Sequence, residues 1–188
     1  MAWRDEVDLK PDTKGRWWQS CDIDGPLKLK IVSMHLAALN DRKRKDDTFL
    51  SQLEEMKHRI LEWKGNGWHV IIMTDLNTPK GDWLATSPQN ANIQKERIYR
   101  LAVWKKSLNM VSMRSRWNER TPTYFGSNGN VQHLDDAIVP REIIDLVSDY
   151  KVVLMNTGSD HLAIQLDLRV PDGTISRTEP PMEDTKTL

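Results

Sequence analysis

Residues 68–73 constrain the fold more than any other part of this sequence. They follow Gly67, are almost wholly apolar, and lead directly into Thr74-Asp75-Leu76-Asn77. A short apolar run of this kind after a glycine is typical of a strand that is buried on both faces of an α/β sheet. Functional groups of α/β folds gather at the carboxyl ends of such strands. The sequence therefore predicts functional side chains at Asp75 and Asn77.

A second strand is predicted earlier in the chain. Residues 27–34 alternate between apolar and basic side chains and then become apolar, as expected of a strand that enters a sheet. His35 lies at the exit of this strand. Later strand candidates are residues 110–114, Tyr124–Phe125, 134–139, 152–155 and 162–168.

Two segments have the pattern of amphipathic helices. The first begins near Asp47 or Thr48, either of which is a suitable N-cap, and is ended by Gly65 and Gly67. Its apolar residues recur at helical spacing and are Phe49, Leu53, Met56, Ile60 and Trp63. The second helix is predicted over residues 93–108. Strands and helices that alternate in this way predict a mixed fold of the α/β (α+β) class.

The two ends of the chain differ in composition from its middle. Residues 1–26 contain Trp3, Trp17 and Trp18 among many charges, which predicts a poorly defined Trp-rich arm or the remains of a strand pair. The main domain is predicted at 27–170. Residues 171–188 are polar and contain three prolines, which predicts a disordered tail or linker.

Composition limits the cellular setting and the partners. The chain has no run of eighteen apolar residues and no apolar centre of a signal peptide at its start, so we expect no membrane contact and an intracellular location, nuclear or cytoplasmic. The 27 basic and 27 acidic residues give zero net charge. Binding of nucleic acid by phosphate neutralisation alone is therefore not expected, and any such contact must be local.

Six polar residues stand at the ends of predicted strands in a fixed order. Each one alone would more often form a turn or a structural hydrogen bond than a catalytic group. Together they form a set that suits phosphate chemistry, with carboxylates, an amide and imidazoles. The six are His35, Asp75, Asn77, Asp135, Asp160 and His161.

This order resembles the carboxyl-terminal portion of the endonuclease/exonuclease/phosphatase (DNase I-like) family. Thr74-Asp75-Leu76-Asn77 is similar to the family's Gly-Asp-Phe-Asn motif, and residues 134–139 are similar to its Ile-Asp-Tyr-Ile segment. Ser159-Asp160-His161 matches its closing Ser-Asp-His triplet. The resemblance covers roughly residues 27–168 and implies a two-sheet sandwich with outer helices.

The resemblance also implies a role for each residue. His161 would contact the scissile phosphate as a base or electrostatic stabiliser, and Asp135 would hold its imidazole. Asp75 would orient or activate the attacking water, Asn77 would donate to a phosphate oxygen, and His35 would line the phosphate pocket. Asp160 would serve the metal, and a site of carboxylates favours Mg²⁺ or Mn²⁺ over zinc.

The strand register leaves one alternative open. Asp136 would replace Asp135 as the functional acid if the strand were shifted by one residue, because such a shift exchanges the two faces. We favour Asp135, since Leu134 precedes it and Ala137-Ile138-Val139 follows it with the spacing of the family motif.

Part of the family pattern is not found in this sequence. The early strand that ends in Asn is missing, and so is the Gln-Glu segment whose Glu is a principal metal ligand. We therefore expect the amino-terminal half of the sandwich to be truncated. A sheet cut in this way would need a partner or self-association to cover it.

Three functions are compatible with these residues. The leading prediction is Mg²⁺-dependent, endonuclease-like hydrolysis of nucleic acid, with DNA favoured, because residues 121–126 look more like non-LTR retrotransposon and apurinic-site endonuclease domains than like phosphoinositide phosphatases. A catalytically impaired remnant that acts as a binding or interaction module is the second. A phosphatase of the same family is the third.

Overall fold

A six-stranded mixed sheet organises the chain. The computed structural model describes residues 10–23, 25–38, 46–78, 88–127, 129–154 and 159–169. The strands are β1 Lys10–Lys14, β2 Trp18–Ile23, β3 Leu29–His35, β4 His69–Asp75, β5 Met110–Ser112, β6 Tyr124–Phe125, β7 Val131–Gln132, β8 Asp135–Pro140, β9 Val147–Val153 and β10 Ala163–Leu168. The helices are α1 Asp46–Gly65, α2 Pro88–Ser107, the short α3 Met113–Trp117 and a 3₁₀ helix at Arg141–Leu146. The mixed α/β class predicted from the sequence is confirmed.

Strand order and direction set the geometry of the large sheet. Its order is β1-β2-β3-β4-β8-β5, and β6-β7 and β9-β10 form two further antiparallel pairs. Within the large sheet β3 and β4 are parallel, whereas the other neighbours are antiparallel. The carboxyl ends of β3 and β4 and the amino end of β8 therefore meet at one edge of the sheet.

One face of the sheet is covered by the two long helices. Val32 of β3 and Ile72 of β4 are fully buried there against the apolar stripe of α1, the stripe predicted from the sequence. Helix α2 adds Trp104, whose indole Nε1 donates to the Leu53 carbonyl of α1 over 2.7 Å. This buried bond ties the two helices together while their apolar side chains close the core.

The opposite face carries a second core. It is built from Ile71 and Ala137 of the sheet together with side chains of α3, the 3₁₀ helix and the β9-β10 pair. Strands β9 and β10 contribute Tyr150, Ile164, Leu166 and Leu168 to it. The candidate site lies on this face, at the sheet edge described above.

Within the Trp-rich segment, Lys10–Lys14 and Trp18–Ile23 form the antiparallel strand pair that the sequence left open as an alternative to an arm. Residues 1–9, with Trp3, lie outside the described residues. Strand β2 pairs with β3 over six residues, from Trp18 opposite Met34 to Ile23 opposite Leu29, so it continues the sheet. Trp18 is buried and packs edge-on against Trp63 of α1, with ring centroids 5.7 Å apart. The domain boundaries predicted at residues 26 and 170 stay predictions. Residues 170–188, which include the predicted tail, lie outside the described residues.

The sequence prediction of one strand at 110–114 was wrong in part. The structure ends β5 at Ser112 and begins α3 at Met113. Ser112 is the N-cap of this helix, because its extended backbone and its hydroxyl, which accepts from the Ser115 amide over 3.3 Å, open the first turn.

Among the described residues, no helix has the length and apolar character needed to cross a membrane.

The packing of α1 predicts different costs for the same substitution at two positions. Leu53 is 3% exposed and Leu61 is 50% exposed on the same helix. We expect Leu53→Ala to lower the free energy of unfolding by about 2–5 kcal/mol, because it leaves a cavity in the core. Leu61→Ala should change it by less than about 0.5 kcal/mol. Urea unfolding followed by circular dichroism measures both, and equal losses would contradict this packing.

Candidate active site

The strand register brings three of the predicted residues into one row. His35 at the end of β3 lies opposite Asp75 at the end of β4, and Asp75 lies opposite Asp135 at the start of β8. All three side chains are on the face of the sheet away from α1 and α2, since side chains along a strand alternate between faces. The structure thus brings three of the six predicted residues together at this edge of the sheet.

His161 reaches this row from outside the sheet. It lies just before β10 and forms an isolated antiparallel bridge with Tyr124, whose ring centroid is 5.0 Å from that of the imidazole. Two hydrogen bonds fix the backbone on either side of it, from Phe125 N to the Asp160 carbonyl over 2.8 Å and from Leu162 N to the Thr123 carbonyl over 2.7 Å. Strand β6 therefore places the imidazole above the sheet edge.

Asp135 and His161 form a hydrogen-bonded pair. The His161 Nδ1 atom is 2.9 Å from Asp135 Oδ2, which confirms the predicted bond between these two residues. The other ring nitrogen, Nε2, is 4.0 Å from Asp75 Oδ2 and so faces that carboxylate without a direct hydrogen bond. The pair therefore directs Nε2 toward Asp75.

Asp136 serves a different purpose on the other face of β8. It is 3% exposed, its carboxylate accepts from the Ser112 hydroxyl, and it accepts from the Arg114 amide over 3.1 Å. Burial raises the pKa of the Asp136 carboxyl above its ordinary value, and the two hydrogen bonds offset part of that effect. The register in which Asp135 faces the site, favoured from the sequence, is therefore the one observed.

Burial also affects Asp135. Desolvation raises the pKa of the Asp135 carboxyl, and the nearby charge of Asp75 adds to that effect. Hydrogen bonds from the Thr123 hydroxyl and from His161 act in the opposite direction. The carboxylate is thus held in a partly buried place by two specific donors.

Asp75 and Asn77 form a tight turn at the end of β4. Asp75 Oδ1 accepts from the Asn77 amide over 2.8 Å, and Asn77 has a left-handed backbone with φ of 45°, a conformation that asparagine tolerates better than most residues. The Asn77 side-chain Nδ2 lies 2.8 Å from the Leu36 carbonyl and 3.1 Å from Asp75 Oδ2. Asn77 therefore supports the Asp75 carboxylate as well as the loop after β3.

His35 extends the network toward solvent. Its Nδ1 is 3.2 Å from Asp75 Oδ2 and its Nε2 is 3.3 Å from Asn77 Nδ2. Since the amide nitrogen is a donor, these contacts fit an imidazole that accepts at Nε2 and donates from Nδ1 to the carboxylate. The imidazole is 60% exposed, which leaves it accessible to a ligand at the edge of the site.

Asp160 is the predicted residue that the structure does not bring into the cluster. The residue is exposed, and its recorded contact with β6 is made by its backbone carbonyl. Among the described residues, the group able to hold a metal ion consists of Asp75, Asp135 and His161, whose ligand atoms lie within 4.8 Å of one another. A role of Asp160 toward a metal stays a prediction.

A groove of about 580 Å³ opens beside the cluster. Asp75 and Asp135 line it at one end, and Gln19, Ser33 and Met73 lie along it on neighbouring strands of the same face. Its walls are formed by the turn that contains Arg16 and Trp17 and by the start of β10 at residues 162–164. The site is therefore open to an extended ligand along the sheet.

Sequence reasoning missed two residues that contact the pair. Thr123 is fully buried and bonds Asp135, and Tyr124 packs on His161. Both belong to the segment 121–126 that was used for the family resemblance, so its position before the Asp135 strand was the available signal. Arg16 and Trp17 at the groove had no signal beyond their place in the Trp-rich segment.

Comparison with solved structures identifies the fold. No model of a known protein family matches the sequence, and no curated protein matches it either. The structure has the DNase I-like endonuclease/exonuclease/phosphatase fold, which confirms the resemblance seen in the sequence. The sequence identities of 14% to 19% to these solved structures show the fold alone.

Three solved structures illustrate the similarity. The endonuclease domain of TRAS1, a telomere-specific non-LTR retrotransposon, is 16% identical with a TM-score of 0.62 over 88% of this chain and 71% of that one. The AP endonuclease LMAP from Leishmania major is 19% identical with a TM-score of 0.66 over 82% and 55%, respectively. A variant of the 3' phosphatase NExo from Neisseria, bound to a product DNA hairpin, is 14% identical with a TM-score of 0.60 over 87% and 70%.

The position of Asp136 predicts a large effect on stability. We expect Asp136→Ala to lower the free energy of unfolding by about 2–4 kcal/mol, because the Arg114 amide and the Ser112 hydroxyl lose a buried acceptor. Asp145→Ala is the matched control, since the Asp145 side chain is 94% exposed, and it should change stability by less than about 0.5 kcal/mol. Chemical denaturation measures both, and a harmless Asp136→Ala would show that this carboxylate does not anchor β8.

Proposed function

We propose that this protein is a metal-dependent phosphodiesterase that hydrolyses nucleic acid in the manner of an endonuclease, with DNA as the favoured substrate. The observation that carries the proposal is the His161–Asp135 pair, in which Nε2 faces Asp75 across 4.0 Å at the end of an open groove. Hydrolysis of a phosphodiester needs a positioned water, a group that accepts its proton and charge that stabilises the phosphorane.

His161 and Asp135 act together on the phosphate. Asp135 accepts from Nδ1, which fixes the tautomer with the other ring nitrogen, Nε2, directed at the phosphate. In this position His161 accepts a proton as a base or, when protonated, stabilises negative charge on the phosphorane oxygens. The partly buried carboxylate of Asp135 lies at Nδ1, where it stabilises positive charge that develops on the imidazole during the reaction.

Asp75, Asn77 and His35 act on the opposite side of the phosphate. The Asp75 carboxylate orients the attacking water, and the turn through Asn77 holds that carboxylate in place. In this proposal the Asn77 side chain donates to a phosphate oxygen in exchange for its 3.1 Å contact with Asp75 Oδ2. His35 lines the phosphate pocket at the exposed edge. The pairing of His35 with Asp75 at the ends of β3 and β4 supports these roles.

The donor set fits a divalent cation. Oxygens of Asp75 and Asp135 lie, with a ring nitrogen of His161, within 4.8 Å of one another. In this proposal the carboxylates would hold the cation, and His161 Nε2 is kept for the phosphate. Carboxylates are the ligands preferred by Mg²⁺ and Mn²⁺. A cation held there would supply positive charge against the phosphate oxygens and lower the pKa of a coordinated water. In this proposal Asp160 contributes to metal binding from the neighbouring loop.

The choice of nucleic acid is supported by the solved structures of similar fold. TRAS1 and LMAP are described as endonucleases, and the NExo structure holds a DNA hairpin. The zero net charge of the chain means that the contact with phosphates is local, and the groove that leads to Asp75 provides such a place.

A plasmid-nicking assay tests the proposal. We expect nicking that requires Mg²⁺ or Mn²⁺, is stopped by a chelator and returns when the cation is restored. His161→Ala and Asp75→Ala should each lower the rate by at least about 100-fold, because each removes a group needed in the transition state. His58→Ala is the control, since His58 is exposed on α1 away from the site, and its rate should equal that of the wild type.

Three results would contradict the proposal in different ways. Nicking that survives both active-site substitutions would assign the activity to another site or to a contaminating nuclease. DNA binding without cleavage under all metal conditions would favour the binding-module alternative. Loss of a terminal phosphate from an oligonucleotide without internal cleavage would favour the phosphatase alternative.

A further inference from the structure

Thr123 occupies an unusual position just before β6. The residue is fully buried. Its hydroxyl oxygen accepts from two successive backbone amides at the start of β8, those of Leu134 and Asp135, each over 3.0 Å. A hydroxyl group has two acceptor lone pairs and one hydrogen. Both lone pairs are therefore used by the backbone, and the hydrogen remains to be donated.

A hydrogen bond of this hydroxyl with the Asp135 carboxylate lowers the pKa of that carboxyl, against the larger effect of burial. The direction of the bond is fixed, because an oxygen that already accepts two N–H groups can approach a carboxylate only as a donor. The same carboxylate receives His161 Nδ1 at 2.9 Å. Thr123, Asp135 and His161 thus form a directed chain of hydrogen bonds.

The backbone of Thr123 is also engaged at both ends. Its carbonyl accepts from Leu162 N over 2.7 Å, which holds the residue directly after His161. Its amide donates to the Gln132 carbonyl over 2.9 Å, which ties it to β7. The side chain of Thr123 therefore holds the acid of the pair, while its main chain holds the segment that carries the histidine.

We propose that Thr123 is a positioning residue for phosphodiester hydrolysis. Its hydroxyl is bonded to the Asp135 amide and its carbonyl to the amide directly after His161, and these two bonds set the direction in which the Asp135 carboxylate meets His161. This proposal rests on the proposed function of the site. Thr123 does not touch the substrate in this assignment. It sets the direction in which His161 Nε2 points, and so acts on the chemical step through Asp135.

A purely structural role for Thr123 makes a different prediction. If the hydroxyl served only to satisfy the two backbone amides, its removal would lower stability, and the folded fraction of the variant would cleave DNA normally. A positioning role instead lowers kcat of the folded enzyme and leaves KM nearly unchanged, because DNA binding does not use this hydroxyl. The two roles are therefore separated by kinetics on folded protein.

The experiment compares four forms of the full chain. Thr123→Val has nearly the same shape without the hydroxyl, Thr123→Ser restores the hydroxyl, and Thr121→Val makes the same change at an exposed threonine of the same segment. We expect Thr123→Val to lower kcat by about 10- to 100-fold, the usual loss when a group that orients a site ligand is removed. Thr123→Ser and Thr121→Val should retain the wild-type kcat, and KM should change less than about twofold throughout.

A spectroscopic measurement tests the geometry without activity. In the wild type we expect a downfield proton resonance from the His161 Nδ1–H that donates to Asp135, assigned by its absence in His161→Ala. Thr123→Val should lose or shift this resonance, and Thr123→Ser should keep it. If the chain shows no nuclease activity, the proposed function fails while this signal still decides the role of Thr123.

A folding control keeps the proposal open to refutation. Circular dichroism establishes whether Thr123→Val is folded at the assay temperature. If it is not, Thr123→Cys is compared with Thr123→Ser, since these two differ only in sulfur against oxygen, and the thiol should give the lower kcat. A folded variant without the hydroxyl that keeps wild-type kcat and the wild-type His161 resonance would overturn the proposal, and so would a Thr123→Ser that is as slow as Thr123→Val.

Discussion

The hydrogen-bond register between β3, β4 and β8 is the constraint on which the site depends. It sets His35, Asp75 and Asp135 side by side on one face of the sheet edge. A shift of β8 by one residue would bring Asp136 to that face and Asp135 into the core beneath the helices. Asp136 opposes this shift, because its buried carboxylate is bonded to Ser112 and to the start of α3. Asp136 thus fixes the register of β8, and its neighbour Asp135 faces the site.

The difference between the two faces of the sheet explains where the polar groups are tolerated. The face beneath α1 and α2 is covered by apolar side chains. Lys30 is a charged residue buried at the far end of this face, where it lies beside Asp22 and over the rings of Trp63 and Trp68. The other face is covered by the 3₁₀ helix, β9 and β10, and the groove remains open beside them. A partly buried carboxylate such as Asp135 is stable there because donors from Thr123 and His161 replace water.

Most of the fold and much of the site could be predicted from local sequence patterns. The apolar run before Asp75 and the helical stripe beginning at Phe49 are properties of consecutive residues, so periodicity detects them. The pairing of β2 with β3 was left open, since tryptophans among charges have no clear period and the burial of Trp18 depends on contacts with α1. The end of β5 at Ser112 depends on a cap that competes with strand pairing, and the contacts of Thr123 depend on the connection between β6 and β8. Neither the cap nor these contacts produce a periodic pattern in the sequence.

His161 differs from the other site residues because no strand of the large sheet carries it. His35, Asp75 and Asp135 are fixed by the hydrogen-bond ladders of the sheet, whereas His161 is held by the two-residue strand β6 and by its bond to Asp135. Its position therefore depends on a few bonds made by the segment 123–125, and loss of one would affect the imidazole before it affected the sheet. Tyr124 adds a ring contact that restricts the imidazole from the side. The position of the imidazole is thus set by the short segment before β8, whereas the positions of the other three side chains are set by the sheet.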